Sequence, residues 1–246
     1  AQVIHDCFDI NGKLIDIAPR SVLRRVLSFY EKQGWKPVVA PELEFYPVKR
    51  NEDPAYPLVP PVGRNGRPET ARQSFSIDAV NEFDPIFEDM YDYCEAQELE
   101  VDTLIHESGA AQMEINFLHG DAIDLADQVF LFKRTMREAA HRHGIYATFM
   151  AKPMSDEPGS AMHIHQSLED AEGRNLFGTS EGGNSEQFMH FIAGLQKYTP
   201  AVTALLAPNV NSYRRLTFGE SAPRNVQWGV ENRTCGLRVP FSEPSA

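Results

Sequence analysis

Positive charge is scarce in this chain: 23 lysines and arginines stand against 35 aspartates and glutamates, for a formal net charge of −12. A nucleic-acid backbone needs a basic surface, so nucleic acid is not expected as a partner. Cysteine is scarcer still. Cys7, Cys94 and Cys235 are odd in number and show no Cys-x-x-Cys spacing, which predicts reduced thiols rather than a disulfide framework or a zinc site. Cys235 reads as a small buried apolar residue. No apolar run reaches membrane length and the first twenty residues are mixed polar, so neither a membrane span nor a signal peptide is expected and a cytoplasmic location follows. The phosphate loop Gly-x-x-x-x-Gly-Lys, the Rossmann glycine signature and the His-Glu-x-x-His zinc motif are all missing, so any nucleotide is held in another way. There is no internal repeat and no low-complexity tract.

What remains is an ordinary globular composition, 42% hydrophobic and 24% charged, over 246 residues, enough for one large core or a two-part domain. Pro19 to Gly34 reads as a helix that Pro19 starts and Gly34 ends. Asn51 to Arg72, rich in proline, glycine and arginine, reads as a long loop. Asp78 to Gln97 is expected to be one helix capped by Asp78, with Phe83, Phe87 and Tyr91 as a core stripe. Asp121 to His143 is a second long helix capped by Asp121, and its terminal His141 and His143 suit the helix dipole rather than catalysis. Ile145 to Met150 reads as a strand, Glu172 to Asn184 as a loop and Ser185 to Tyr198 as a third helix. Irregular alternation of strands and helices with antiparallel pairs predicts an α+β fold.

The chemistry-bearing residues come in pairs. Glu42 and Glu44 lie two apart in VVAPELEFYPV, so on a strand both carboxylates share a face while Leu43 and Phe45 turn to the core. Two like charges on one buried face repel unless a cation lies between them, and carboxylate oxygens suit Mg²⁺ or Mn²⁺. The solvated face of an edge strand is the competing reading. In LIHESGAAQMEINFLHGD a hairpin brings Glu107 and Glu114 near each other, with Gln112, Glu114 and Asn116 on one face and Met113, Ile115 and Phe117 on the other. Two exposed hairpin carboxylates would show the same spacing. His163 and His165 share a strand face in GSAMHIHQSL, as metal ligands or as structural histidines. Arg214, Arg215, Arg224, Arg233 and Arg238 follow. Metal-binding acids together with several arginines match the needs of phosphoryl transfer, where cations and guanidinium groups offset phosphate charge.

The segments PELEFY, HESGAAQMEINF, MAKPMSDEPGSAMHIHQSL, NSYRRL and ENRTCGLRVP together resemble the catalytic domain of the glutamine synthetase family, in order and spacing, over nearly the whole chain. The resemblance implies a curved, mostly antiparallel sheet backed by helices, stacked hexamer rings, and an ATP-dependent ligase that phosphorylates the γ-carboxylate of glutamate before an amine displaces the phosphate. It implies that Glu44, Glu107 and Glu114 hold one divalent metal, and that Glu42 and His163 hold a second on the ATP phosphates. His165 and Ser167 would line the nucleotide site, with Phe117 near the adenine. Arg215 would clamp the substrate α-carboxylate, Arg233 and Arg238 would surround the transferred phosphate, and Gly159 would lie in the loop touching the amino acid.

Three departures refine that expectation. Ser221 stands where glutamine synthetases proper usually carry a glutamate that helps deprotonate ammonium, with Glu220 adjacent, and Pro158 stands in place of a substrate-contacting asparagine. Both favour the branch that joins glutamate to polyamines or alkylamines. The alternatives are ammonia as the amine, or a non-catalytic relative. The family's N-terminal domain and the Arg-Arg-x-Glu stretch that follows this chain are not in it, so residues 1–246 are expected to be a partial catalytic domain.

Overall fold

The computed structural model describes residues 2–217 and 222–241. Its spine is the 14-residue strand β1 (Lys36–Lys49). Along one edge β1 pairs first with β6 (Met162–Glu169) and then with β5 (Ile145–Thr148). Along the other it pairs with the two-residue β4 (Gly120–Asp121) and with β3 (Met113–Phe117), which in turn pairs with β2 (Val101–His106). Every pairing in this six-stranded sheet is antiparallel. A strand with three prolines is unusual, because proline cannot donate to a ladder. Pro37, Pro41 and Pro47 all sit at positions paired on one edge only, Pro41 in the gap between the β4 and β3 registers.

The two faces of β1 have separate tasks. Leu43 and Phe45 face the main core with Met113, Ile115 and Phe117 of β3. Helices α3 (Asp84–Ala96) and α4 (Ala122–Arg142) cover that face. Phe132 of α4, fully buried, meets Phe45, Phe117 and Phe149 edge-on. The opposite face carries Glu42, Glu44 and Tyr46. A smaller apolar cluster of Tyr46, Val48 and Met154 closes its far end.

α1 (Pro19–Glu31) begins at its proline, as expected, and Asp121 caps α4 by accepting from the Ile123 and Asp124 amides. The helix expected over Asp78–Gln97 is two helices. α2 (Ile77–Asn81) is capped by Ser76, not Asp78, and α3 starts afresh at Asp84. Pro85 is the cause: it lacks an N–H, and its ring would strike the carbonyl one turn earlier in a continuous helix. Phe83 and Phe87 are nevertheless the expected core stripe, both under 5% exposed. The helix expected to stop at Tyr198 is α5 (Glu186–Leu206), which runs through Pro200. Proline removes one bond there and the exposed flank of the helix accommodates the ring. After α6 (Val210–Arg215), strands β7 (Trp228–Val230) and β8 (Leu237–Val239) form a separate parallel pair. No helix among the described residues is long and apolar enough to cross a membrane.

Candidate active site

Register builds the site. On β1, Glu44 lies directly opposite Glu114 of β3, and Glu42 lies opposite His163 of β6. The period-two alternation of three adjacent strands therefore stacks three carboxylates and an imidazole on one patch of sheet. Ligand atoms of Glu42, Glu114 and His163 all lie within 4.8 Å of one another. His163 Nδ1 is 3.3 Å from Glu42 and 3.9 Å from Glu44. His165 Nε2 is 2.6 Å from the other Glu42 oxygen.

Like charges directly opposite on a sheet are destabilising, and the carboxyls respond. Burial, reinforced by the charges of Glu42, Glu107 and Glu44, pushes the Glu114 carboxyl up to about 7. Burial also raises Glu44, against the amide of Ala161 and the charge of Arg215. Hydrogen bonds from His163 and His165 hold Glu42 far below the usual carboxylate range. Glu42 in turn raises His163. Acids crowded on one sheet face, with donor atoms converging on an imidazole, suit a hard divalent ion. The residues present therefore fit Mg²⁺ or Mn²⁺, with Glu42, Glu114 and His163 as the converging donors and Glu44 beside them on the same face.

The hairpin places Glu107 at the head of the β2–β3 turn, where its amide donates to the Gln112 carbonyl (2.8 Å). Its charge reaches Glu44 and Glu114. Gln112 is a residue that sequence reasoning passed over. Its amide nitrogen donates to Glu44 Oε2 and to the Gly159 carbonyl, both at 3.1 Å, while its oxygen accepts from the Gly109 amide. All these bonds fix the orientation of the amide and tie Glu44 to the 151–160 segment. The available signal was period two, since Gln112 shares a face with Glu114. The Ala161 amide also donates to Glu44 Oε2 (2.9 Å). The Tyr46 hydroxyl donates to the Pro158 carbonyl (2.7 Å). Gly109 is required under that hydroxyl, because a Cβ there would collide with its oxygen.

Gly159 lies against Arg215: an added Cβ would fall 2.6 Å from Arg215 Cγ and 2.5 Å from the Ala151 carbonyl oxygen. The structure thus joins Arg215, from the last turn of α6, to the Gly159 loop and to the electrostatics of Glu44. Ser167 lies on the His163 and His165 face of β6, opposite Val38. Three expectations are not assembled here. The Phe117 ring is 4% exposed in the core, on the opposite face of β3 from Glu114, because odd positions of β3 turn inward. An adenine contact from that ring is therefore not what the fold provides. Arg233 and Arg238 are exposed on the β7–β8 unit, and no hydrogen bond or ion pair among the described residues joins them to the carboxylates. Ser221, with Glu220, lies outside the described residues.

An open antiparallel sheet whose free face gathers carboxylates and imidazole defines an α+β domain suited to a divalent cation. The catalytic-domain model of glutamine synthetase matches residues 16–246, and the chain belongs to that family. It is 38% identical over 245 residues to the γ-glutamylputrescine synthetase PuuA of Escherichia coli, covering 98% of this chain and 52% of that protein. It is 40% identical over 231 residues to the glutamine synthetase of Pyrococcus horikoshii, covering 94% and 49%. Ligand-free GmaS superposes with a TM-score of 0.78 at 29% identity, over 93% of this chain and 52% of that one. The chain spans about half the length of the curated relatives it matches.

Proposed function

We propose that this chain is catalytic machinery of an ATP-dependent ligase that joins the γ-carboxylate of glutamate to an organic amine through γ-glutamyl phosphate. The observation that carries this reading is the convergence of Glu42, Glu44, Glu114 and His163 on one sheet face in a member of this family. A carboxylate resists nucleophiles because of its own charge; phosphorylation converts it to an activated acyl group with a good leaving group. Divalent ions held by Glu44, Glu107 and Glu114, and by Glu42 and His163, would neutralise phosphate and carboxylate charge. His165 and Ser167 would line the nucleotide side. Arg215, braced against Gly159, would orient the amino acid, and Arg233 and Arg238 would meet the transferred phosphate. The complete protein is proposed to self-associate as stacked hexamer rings.

An organic acceptor is favoured by Ser221, Pro158 and the likeness to a γ-glutamylputrescine synthetase. The second reading, ammonia as acceptor, is supported by 40% identity to a glutamine synthetase. Glutamate-dependent phosphate release from ATP by the full-length protein separates them, with ammonium compared against putrescine, spermidine and simple alkylamines. Preference for an organic amine is expected. Preference for ammonium overturns the acceptor assignment, and silence with every amine overturns the ligase and leaves a non-catalytic relative.

A further inference from the structure

The long loop before α2 carries one acid turned the wrong way. Arg67, Pro68 and Thr70 are exposed, yet the Glu69 side chain between them is only 8% exposed. Burying a carboxylate is costly unless it is paired. Its partner is the fully buried His106, whose Nε2 lies 2.9 and 3.1 Å from the two Glu69 oxygens. The other ring nitrogen, Nδ1, is 2.7 Å from the backbone carbonyl oxygen of Glu107. Both ring nitrogens are thus engaged, one by the loop and one by the main chain of a carboxylate-bearing residue. The same loop has two more attachments. The Phe75 amide donates to the His106 carbonyl (2.8 Å), with Phe75 held at φ 63°. Arg72 donates to the Asp156 carbonyl (3.0 Å) and lies 3.6 Å from Glu157, whose carboxylate accepts from the Ala110 amide.

We propose that residues 67–76 form a strap that positions the site, with Glu69 as the positioning residue that sets the main chain of Glu107 through His106. This rests on the metal reading above, in which Glu107 is a ligand. Arg72 fastens the strap to the segment that carries Gly159, so the strap spans the two walls whose separation sets the donor geometry. Outer partners that orient metal ligands typically change metal affinity by roughly 10–100-fold when removed.

The test is Mn²⁺ binding by the full-length protein, followed by electron paramagnetic resonance of the free ion, with thermal unfolding recorded alongside. Glu69→Ala, which leaves the buried His106 Nε2 without its partner and so lowers the unfolding temperature, is expected to weaken Mn²⁺ binding by roughly 10–100-fold at temperatures where it stays folded. Glu69→Gln, which keeps an oxygen for the His106 N–H, is expected to remain near the parent. If the alanine variant does not fold, Glu69→Asp decides, with a smaller loss in the same direction. Parent-like affinity in Glu69→Ala or, where it replaces it, Glu69→Asp overturns the strap while leaving the metal site standing. Equal weakening in Ala and Gln with the unfolding temperature lowered in both makes Glu69 merely structural and also overturns it. Absence of Mn²⁺ binding by the parent overturns the metal reading and the strap together.

Discussion

Glu114 would make the proposed metal site a proton-linked one, and Glu114→Gln tests this directly. Its carboxyl is held at about 7 by burial and three neighbouring acids, against an ordinary value of 4.5. The carboxyl therefore ionises only as pH rises through about 7, and a metal can use it as an anionic ligand only after that proton leaves. At pH 8 about nine-tenths of the groups are ionised and at pH 6 about one-tenth, so Glu114 alone predicts about a tenfold loss of Mn²⁺ affinity from pH 8 to 6, about 1.4 kcal/mol. His163, raised by Glu42, adds a second proton release in the window above its usual 6.5 and steepens the slope. Glu114→Gln should bind Mn²⁺ more weakly at pH 8 and lose about one proton of pH dependence, leaving the His163 contribution. Mn²⁺ titrations of the full-length protein at pH 6, 7 and 8 decide it. A flat affinity in the parent, or an unchanged slope in the variant, refutes the electrostatic account.

Two further outcomes follow from contacts. Gly159→Ala puts a methyl group 2.5 Å from the Ala151 carbonyl oxygen and within 2.7 Å of Arg215 Cγ and Cδ, so both the 151–160 segment and Arg215 must move; the KM for glutamate should rise severalfold with ATP affinity kept, and an unchanged KM would separate this loop and Arg215 from amino-acid binding. Phe132→Ala empties the junction of Phe45, Phe117 and Phe149 and should cost about 3–5 kcal/mol; urea unfolding that shows under 1 kcal/mol would mean the core collapses around the gap.

Period two along the strands makes the site legible in the amino-acid order itself. Glu42 with Glu44, and Gln112 with Glu114, lie on single faces because successive strand residues alternate. The cap at Asp121 and the helix start at Pro19 are equally local, each resting on one side chain and its nearest amides. The motifs PELEFY and HESGAAQMEINF carry the family because their spacing is set by those same strands and their turn.

Partnership across the chain was not legible. Which strand lies beside β1, and in which register, is decided by packing of Leu43, Phe45, Met113 and Ile115 against α3 and α4; only that register puts Glu44 opposite Glu114 and Glu42 opposite His163. Only the family resemblance places Phe117 near the adenine; period two puts its ring with Met113 and Ile115, and it lies with them in the core. The Glu69–His106 pair joins residues 37 apart with no shared periodicity, since a loop is free to turn any residue inward until tertiary packing supplies the partner. The sequence by itself therefore determined which residues can act together on each strand, because backbone alternation is a local property. The tertiary structure alone decided which strands meet, because that depends on where the apolar faces find one another.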